Sequence, residues 1–143
     1  YSTAIEQGYN KVALGHHLDD AMESFFMNFF YNGTMRSMPP IYKAENGLEV
    51  IRPLIFCRER QLRAFAATNE IRVIGDEACP GLRFDVKMPH ARATTKELLA
   101  KLEEENPKIF VSMKAAFSNI QLSTFFYKEL KDSTETLDEE SDI

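Results

Sequence analysis

Lys11 to Leu14 reads KVAL, a short run cut off by Gly15, and a stretch with helical periodicity begins within six residues of it. This sequence of events constrains the fold more than any other feature of the chain. A run that short, closed by glycine, suits a buried parallel strand feeding a loop. Beyond the loop Ala21, Met22, Phe25, Phe26, Phe29 and Phe30 recur at spacings of three and four until Asn32-Gly33. The pattern predicts a core helix with Asp19 as its cap. A strand that turns through glycine into a helix belongs to an α/β sheet.

The flanking segments extend that reading. Residues 2 to 8 look like the last turns of a helix stopped by Gly8, so the chain is expected to begin inside an element. Pro39 and Pro40 forbid regular structure, and Asn46-Gly47 between IYKAE and LEVIR predicts a hairpin with a type I′ turn. Glu59 to Asn69 reads as an amphipathic helix with Leu62, Phe65 and Ala66 inward and Arg60 and Arg63 outward. Ile71 to Ile74 (IRVI) predicts a further strand, and Asp76 to His90 is irregular. A helix is expected from Thr94 or Thr95 to Glu105 and another from Pro107 to about Ile120, forming a hairpin. The expected organisation is an α/β part over 1–90, the helical hairpin over 91–130 packed on it, and an acidic, disordered tail over 131–143.

Composition narrows the class of protein. At 143 residues with 44% hydrophobic and 27% charged side chains, the chain can bury one core, and fibrous or wholly disordered readings fail. No apolar run approaches the roughly 18 residues a membrane helix needs, and the first residues lack a secretory pattern, so a cytoplasmic location is expected. The net charge of −5 is concentrated in the tail, while residues 52 to 101 carry ten Lys or Arg against six Asp or Glu. That local excess is either an anion-binding face or an ordinary solvated one. Cys57 and Cys79 are too few for a disulfide framework or a complete zinc site, and Cys57 reads as a small buried hydrophobe.

The densest polar cluster is Gly15, His16, His17, Asp19, Asp20 and Glu23, placed where the strand ends and the helix starts. In open α/β sheets ligands bind outside the carboxyl ends of strands, where a helix N-terminus offers free N–H groups. Asp20 and Glu23 share a helix face and, with a histidine, can hold a metal or act as an acid–base pair. Simple helix capping by the same acids is the competing reading.

The string VALGHHLDDAMESFFMNFFYNG, followed by MPP and VIRPLIFCRE, resembles the tRNA 2-thiocytidine synthetase branch of the N-type PP-loop ATP pyrophosphatases. The GHHxDD core is shared with lysidine synthetases, and MPP and IRPL narrow the resemblance. It implies an adenine-nucleotide alpha-hydrolase-like α/β fold, ATP with Mg, a tRNA substrate, adenylation of a base carbonyl with release of pyrophosphate, and then sulfur transfer. By position it implies catalytic roles for Asp19 and Asp20, nucleotide or tRNA contacts from Gly15, His16, His17 and Glu23, and Cys79 as a ligand of an iron–sulfur cluster. The family's SGGxDS phosphate loop and upstream CxxC pair do not occur in the chain. The expectation is therefore a C-terminal part of such an enzyme, inactive alone. Its sheet edge would be covered by an N-terminal half or by self-association.

Overall fold

The computed structural model describes residues 1–73 and 91–125. Ile74, Cys79, His90 and the acidic tail, on which several expectations rest, lie outside the described residues. Contacts divide the chain into two units, Tyr1–Pro107 and Lys108–Ile143. In the first, the order is α1 (Ser2–Glu6), β1 (Lys11–Ala13), α2 (Leu18–Tyr31), β2 (Ile41–Lys43), β3 (Glu49–Ile51), α3 (Glu59–Thr68) and α4 (Ala91–Glu105). The second contains α5 (Ile109–Ala116) and a 3-10 turn at Leu122–Thr124.

The strands form a sheet in the order β1-β3-β2. β1 pairs parallel with β3, with Val12 opposite Val50, and β2 pairs antiparallel with β3, with Tyr42 opposite Val50. The α/β expectation therefore holds: α2 and the β2 hairpin strand connect two parallel neighbours. Among the described residues β1 is an edge, and Lys11 and Ala13 on it are exposed with Val12 half-buried, so the expected buried strand is corrected to a parallel edge strand. Lys11 pairs with its register partner Glu49 across the ladder.

The hairpin forms where Asn46-Gly47 placed it, with a different turn. A type I′ turn needs positive φ at both central residues, yet only Gly47 adopts it, at 87°. Gly47 N–H closes on Ala44 O, Ala44 N–H on Leu48 O, and the Asn46 side chain accepts from Leu48 N–H. Asn46 thus serves through its side-chain oxygen, and glycine alone supplies the left-handed residue of a longer, bulged loop.

The core lies between the first turns of α2, strand β3 and α4. Leu18, Ala21, Met22, Leu48, Val50, Ile55, Ala93 and Leu99 are buried there, with Met22 and Val50 at 0% exposure. The expectation that all of α2 is core needs correction. Phe25 and Phe26 are half-buried, whereas Phe29 and Phe30 are 47% and 52% exposed. The rings stack along the helix, Phe25 on Phe29 and Phe26 on Phe30, as neighbours four apart do. Asn32 and Gly33 end the helix as expected, with Gly33 left-handed at φ 62°.

Two further expectations change. On α3 Leu62 and Ala66 are half-buried, but Phe65 is 62% exposed; the helix is held by its N-terminus, not by a broad apolar face. Arg60 and Arg63 do face outward. Ile71 to Val73 form no strand and remain exposed, since no neighbouring strand among the described residues offers them a ladder. We expect Met22→Ala to cost about 2–3 kcal/mol and Phe30→Ala under about 1 kcal/mol in urea unfolding. Comparable losses would mean that the core extends along all of α2.

Candidate functional site

The loop between β1 and α2 carries Gly15, His16 and His17 to the carboxyl end of the parallel pair, where the polar cluster was expected. His17, not Asp19, is the cap of α2. Its Nδ1 accepts from Asp20 N–H at 3.3 Å, and its own N–H donates to Asp20 Oδ2 at 3.0 Å, a reciprocal box with histidine in the usual serine position. His17 Nε2 also lies 3.3 Å from Asp20 Oδ2.

Asp19 caps a different helix. Its Oδ2 accepts from Glu59 N–H at 2.7 Å, at the start of α3, and its carboxylate receives Arg58 Nε at 3.1 Å and Nη2 at 3.0 Å. In return, Cys57 O accepts the Leu18 N–H at the start of α2. The two helix N-termini therefore satisfy each other: a carbonyl from the loop before α3 serves α2, and a carboxylate from α2 serves α3. Cys57 is half-buried and unpaired with any other cysteine, in keeping with a structural thiol.

α4 lays one stripe across both N-termini. Arg92, Lys96, Leu99 and Glu103 follow spacings of four, three and four, so they share a face. Arg92 Nη2 reaches Asp20 Oδ1 at 2.6 Å and its Nε reaches Glu23 Oε2 at 2.9 Å. Lys96 approaches Glu59 Oε2 at 3.4 Å, and Glu103 grips Arg58 through two bonds of 2.7 and 2.8 Å. Burial raises the Glu23 carboxyl, against the pull of Arg92. Burial also pushes Glu59 upward, but Arg63 and Lys96 outweigh it and leave that carboxyl below its usual range.

The basic excess of residues 52 to 101 thus acquires a specific meaning. Arg58 and Arg92 are matched by Asp19, Asp20, Glu23 and Glu103, which all lie outside that window in sequence. Arg63 and Lys96 are matched by Glu59 within it. Much of the apparent anion-binding charge is spent on internal ion pairs.

His16 stands apart from this network. Its Nδ1 accepts from Arg52 Nε at 3.3 Å, and burial lowers its pKa first of all, with the Arg52 and Arg92 charges adding to that effect and Asp20 opposing it. Gly15 is exposed, a Cβ there would meet no atom within 4 Å, and its backbone is not left-handed. Nothing in the described protein requires glycine at that position.

Arg52, Arg58, Arg92 and Glu103 were not singled out as site residues from sequence. The stripe on α4 was a usable signal for Arg92 and Glu103, since it places three charges in helical register. Among the described residues no group of three His, Cys, Asp or Glu side chains is disposed to hold a metal ion. The metal alternative for the acidic cluster therefore has no donor set there. Cys57 alone cannot carry an iron–sulfur cluster, and Cys79 is outside the described residues.

A family model described as a PP-loop domain matches residues 1–87. The chain belongs to the PP-loop family. PP-loop relatives named tRNA-cytidine(32) 2-sulfurtransferase include one from Coxiella burnetii (strain RSA 493 / Nine Mile phase I), 40% identical over 131 residues, covering 91% of this chain and 49% of the relative. Another, from Geobacter metallireducens, is 40% identical over 133 residues, covering 92% and 50%. The chain spans about half the length of the curated relatives it matches. Among solved structures, the U34-tRNA thiolase NcsA from Methanococcus maripaludis with its [4Fe-4S] cluster shares the fold, with a TM-score of 0.56 and 18% identity, covering 85% of this chain and 41% of that one. No described helix of this PP-loop chain is long and apolar enough to cross a membrane.

Proposed function

We propose that this chain is the C-terminal part of an ATP-dependent tRNA-thiolating catalyst that acts on a cytidine. ATP transfers its adenylyl group to the C2 carbonyl oxygen of the base with loss of pyrophosphate; a sulfur nucleophile at the sulfide oxidation level then attacks C2, and the C2–O bond breaks to release AMP. One observation carries this reading: Gly15, His16 and Asp20 stand together at the carboxyl end of a parallel strand, and nothing among the described residues requires glycine at position 15. An open approach at Gly15 suits a ligand that comes close to the backbone. The names of the relatives supply the substrate class. Within this reading Asp20 is the residue of chemistry, Gly15, His16, His17 and Glu23 form the rim of the nucleotide and tRNA site, and Asp19 holds the floor of that rim.

A polyphosphate needs a nest of backbone N–H groups, and no SGGxDS string occurs here. The reading therefore requires that loop from a segment outside these 143 residues, on the same chain or on another. The outer edge of β1 is where another strand can be added. An iron–sulfur cluster does not fit the described residues, which hold a single cysteine, Cys57.

We expect the chain alone to release no pyrophosphate from ATP. Mixing it with the SGGxDS-bearing part of a related sulfurtransferase is expected to restore pyrophosphate release and 2-thiocytidine in tRNA, read by mass spectrometry of nucleosides. Turnover by the chain alone would overturn the need for that loop. No turnover from a mixture that forms a stable complex would overturn the catalytic reading. A noncatalytic binding module is favoured by one feature, the full engagement of Asp19 in ion pairs and a helix cap. It predicts that nucleotide raises the melting temperature of that complex without any turnover.

A further inference from the structure

The GHHxDD core of the family resemblance and the two strings that narrow it, MPP and IRPL, are separate in sequence and meet at one side chain. Arg52, from IRPL, donates through Nε to His16 Nδ1 at 3.3 Å and through Nη1 to Pro39 O, from MPP, at 2.7 Å. Its backbone N–H donates to Pro40 O at 2.8 Å, and its guanidinium lies 5.3 Å from the centre of the Tyr42 ring. A planar cation held at this many points has one orientation to offer its remaining partner.

That partner is an imidazole, and the direction of the bond determines its chemistry. Guanidinium has only donors, so the His16 Nδ1 that faces Arg52 must be an unprotonated acceptor. The proton of the neutral ring then sits on Nε2. No protein atom among the described residues takes up that Nε2, and no buried side-chain nitrogen or oxygen among them is left unsatisfied, so with respect to the described residues Nε2–H is open to an incoming group. We propose that Arg52 is a positioning residue that locks His16 as the neutral Nε2–H tautomer, so that His16 meets its ligand as a hydrogen-bond donor and not as a base. The matching ligand atom is an oxygen or ring-nitrogen acceptor on a nucleotide or nucleobase. The identity of that ligand rests on the thiolation reading above; the tautomer is a property of the free chain.

The charged and titratable groups around His16 act in the same direction, with one exception. Arg52 from the β3–α3 segment, Arg92 from α4 and His17 from its own loop all oppose its protonation, as burial does, and Asp20 from α2 alone favours it.

The test needs no ligand. Two-bond proton–nitrogen correlation spectra of the nitrogen-15-labelled chain report which ring nitrogen of each histidine is protonated. His16 is expected as Nε2–H, titrating below the ordinary imidazole range. In Arg52→Met the single tautomer should give way to a mixture, and the titration midpoint should rise, because a nearby cation is gone. His17 is the internal control: its Nδ1 is held by Asp20 N–H, so its tautomer should not change. A wild-type His16 protonated on Nδ1 overturns the proposal, as does an Arg52→Met protein that keeps the His17 signature with His16 unaltered. If Arg52→Met fails to fold, the wild-type spectrum decides. The donor role has its own arm in the reconstituted complex. His16→Gln, which keeps a donor near the Nε2 position, should retain thiolation within about tenfold, whereas His16→Leu should lose about a hundredfold. Equal losses in the two variants overturn the donor role without touching the thiolation reading.

Discussion

Arg58→Met should lower the unfolding free energy by about 3–5 kcal/mol, more than any large-to-small change in the apolar core described above. Arg58 is only 12% exposed and stands between Asp19, at 13%, and Glu103. Methionine fills similar volume but leaves the Asp19 carboxylate sunk between two helix ends with the Glu59 N–H still bound and its guanidinium gone. An orphaned, partly buried charge costs more than the net worth of the pair that held it. Arg58→Lys should recover less than half of the loss, since a single ammonium cannot serve two carboxylates through a planar fork. The acid limb gives an independent check. Hydrogen bonds from Arg58 are the first cause that holds the Glu103 carboxyl below its ordinary 4.5. A depressed carboxylate stabilises the fold above its unfolded value, and this contribution drains as pH falls through 4.5 toward the folded value. Stability of Arg58→Met should therefore fall less steeply below pH 4.5 than that of the unaltered chain. A loss under about 1 kcal/mol with an unchanged acid limb would reduce the pair to a surface contact.

The limits of the sequence reading follow from the same residues. KVAL, the period of α2, Asn32-Gly33 and Asn46-Gly47 are local signals, and each produced its element because the backbone chemistry that decides it lies within a few residues. The family strings were legible for a different reason, since letters in order carry a resemblance whatever the packing does. What could not be read locally is who pairs with whom. Asp19 lies two residues after the true cap, and the charge that claims it is 39 positions away in sequence. The aromatic rings of α2 have core spacing, but periodicity states which residues share a face and not how far along the helix a partner reaches. IRVI has strand composition, yet three of its residues lack a neighbour to pair with among the described residues. In each case the missing information was tertiary.

The proposed function divides the acidic rim into residues that hold and a residue that acts, and Asp20 is where that division can be tested. Its Oδ2 accepts from His17 N–H and its Oδ1 receives Arg92. Asp20→Asn keeps an oxygen for the capping box, but it loses the charge facing Arg92 and His17 Nε2 and turns an amide donor toward Arg92, which at 39% exposure can turn away to solvent. The expected stability cost is therefore about 1 kcal/mol. Thiolation by the reconstituted complex should nevertheless fall at least about a hundredfold, the scale for losing a positioned acid–base group. Arg92→Gln breaks the same ion pair from the other side and leaves the Asp20 carboxylate in place, but it also takes the partner from the buried Glu23, so its stability cost should be the larger and the two activities are compared at equal folded fraction. If Asp20 only anchors α4, both variants lose activity and stability in parallel. If its carboxylate is needed for chemistry, Asp20→Asn loses far more activity than Arg92→Gln at equal folded fraction. Matching activity losses at equal folded fraction would return Asp20 to the scaffold beside Asp19. The thiolation chemistry would then have to be carried by groups outside the acidic rim.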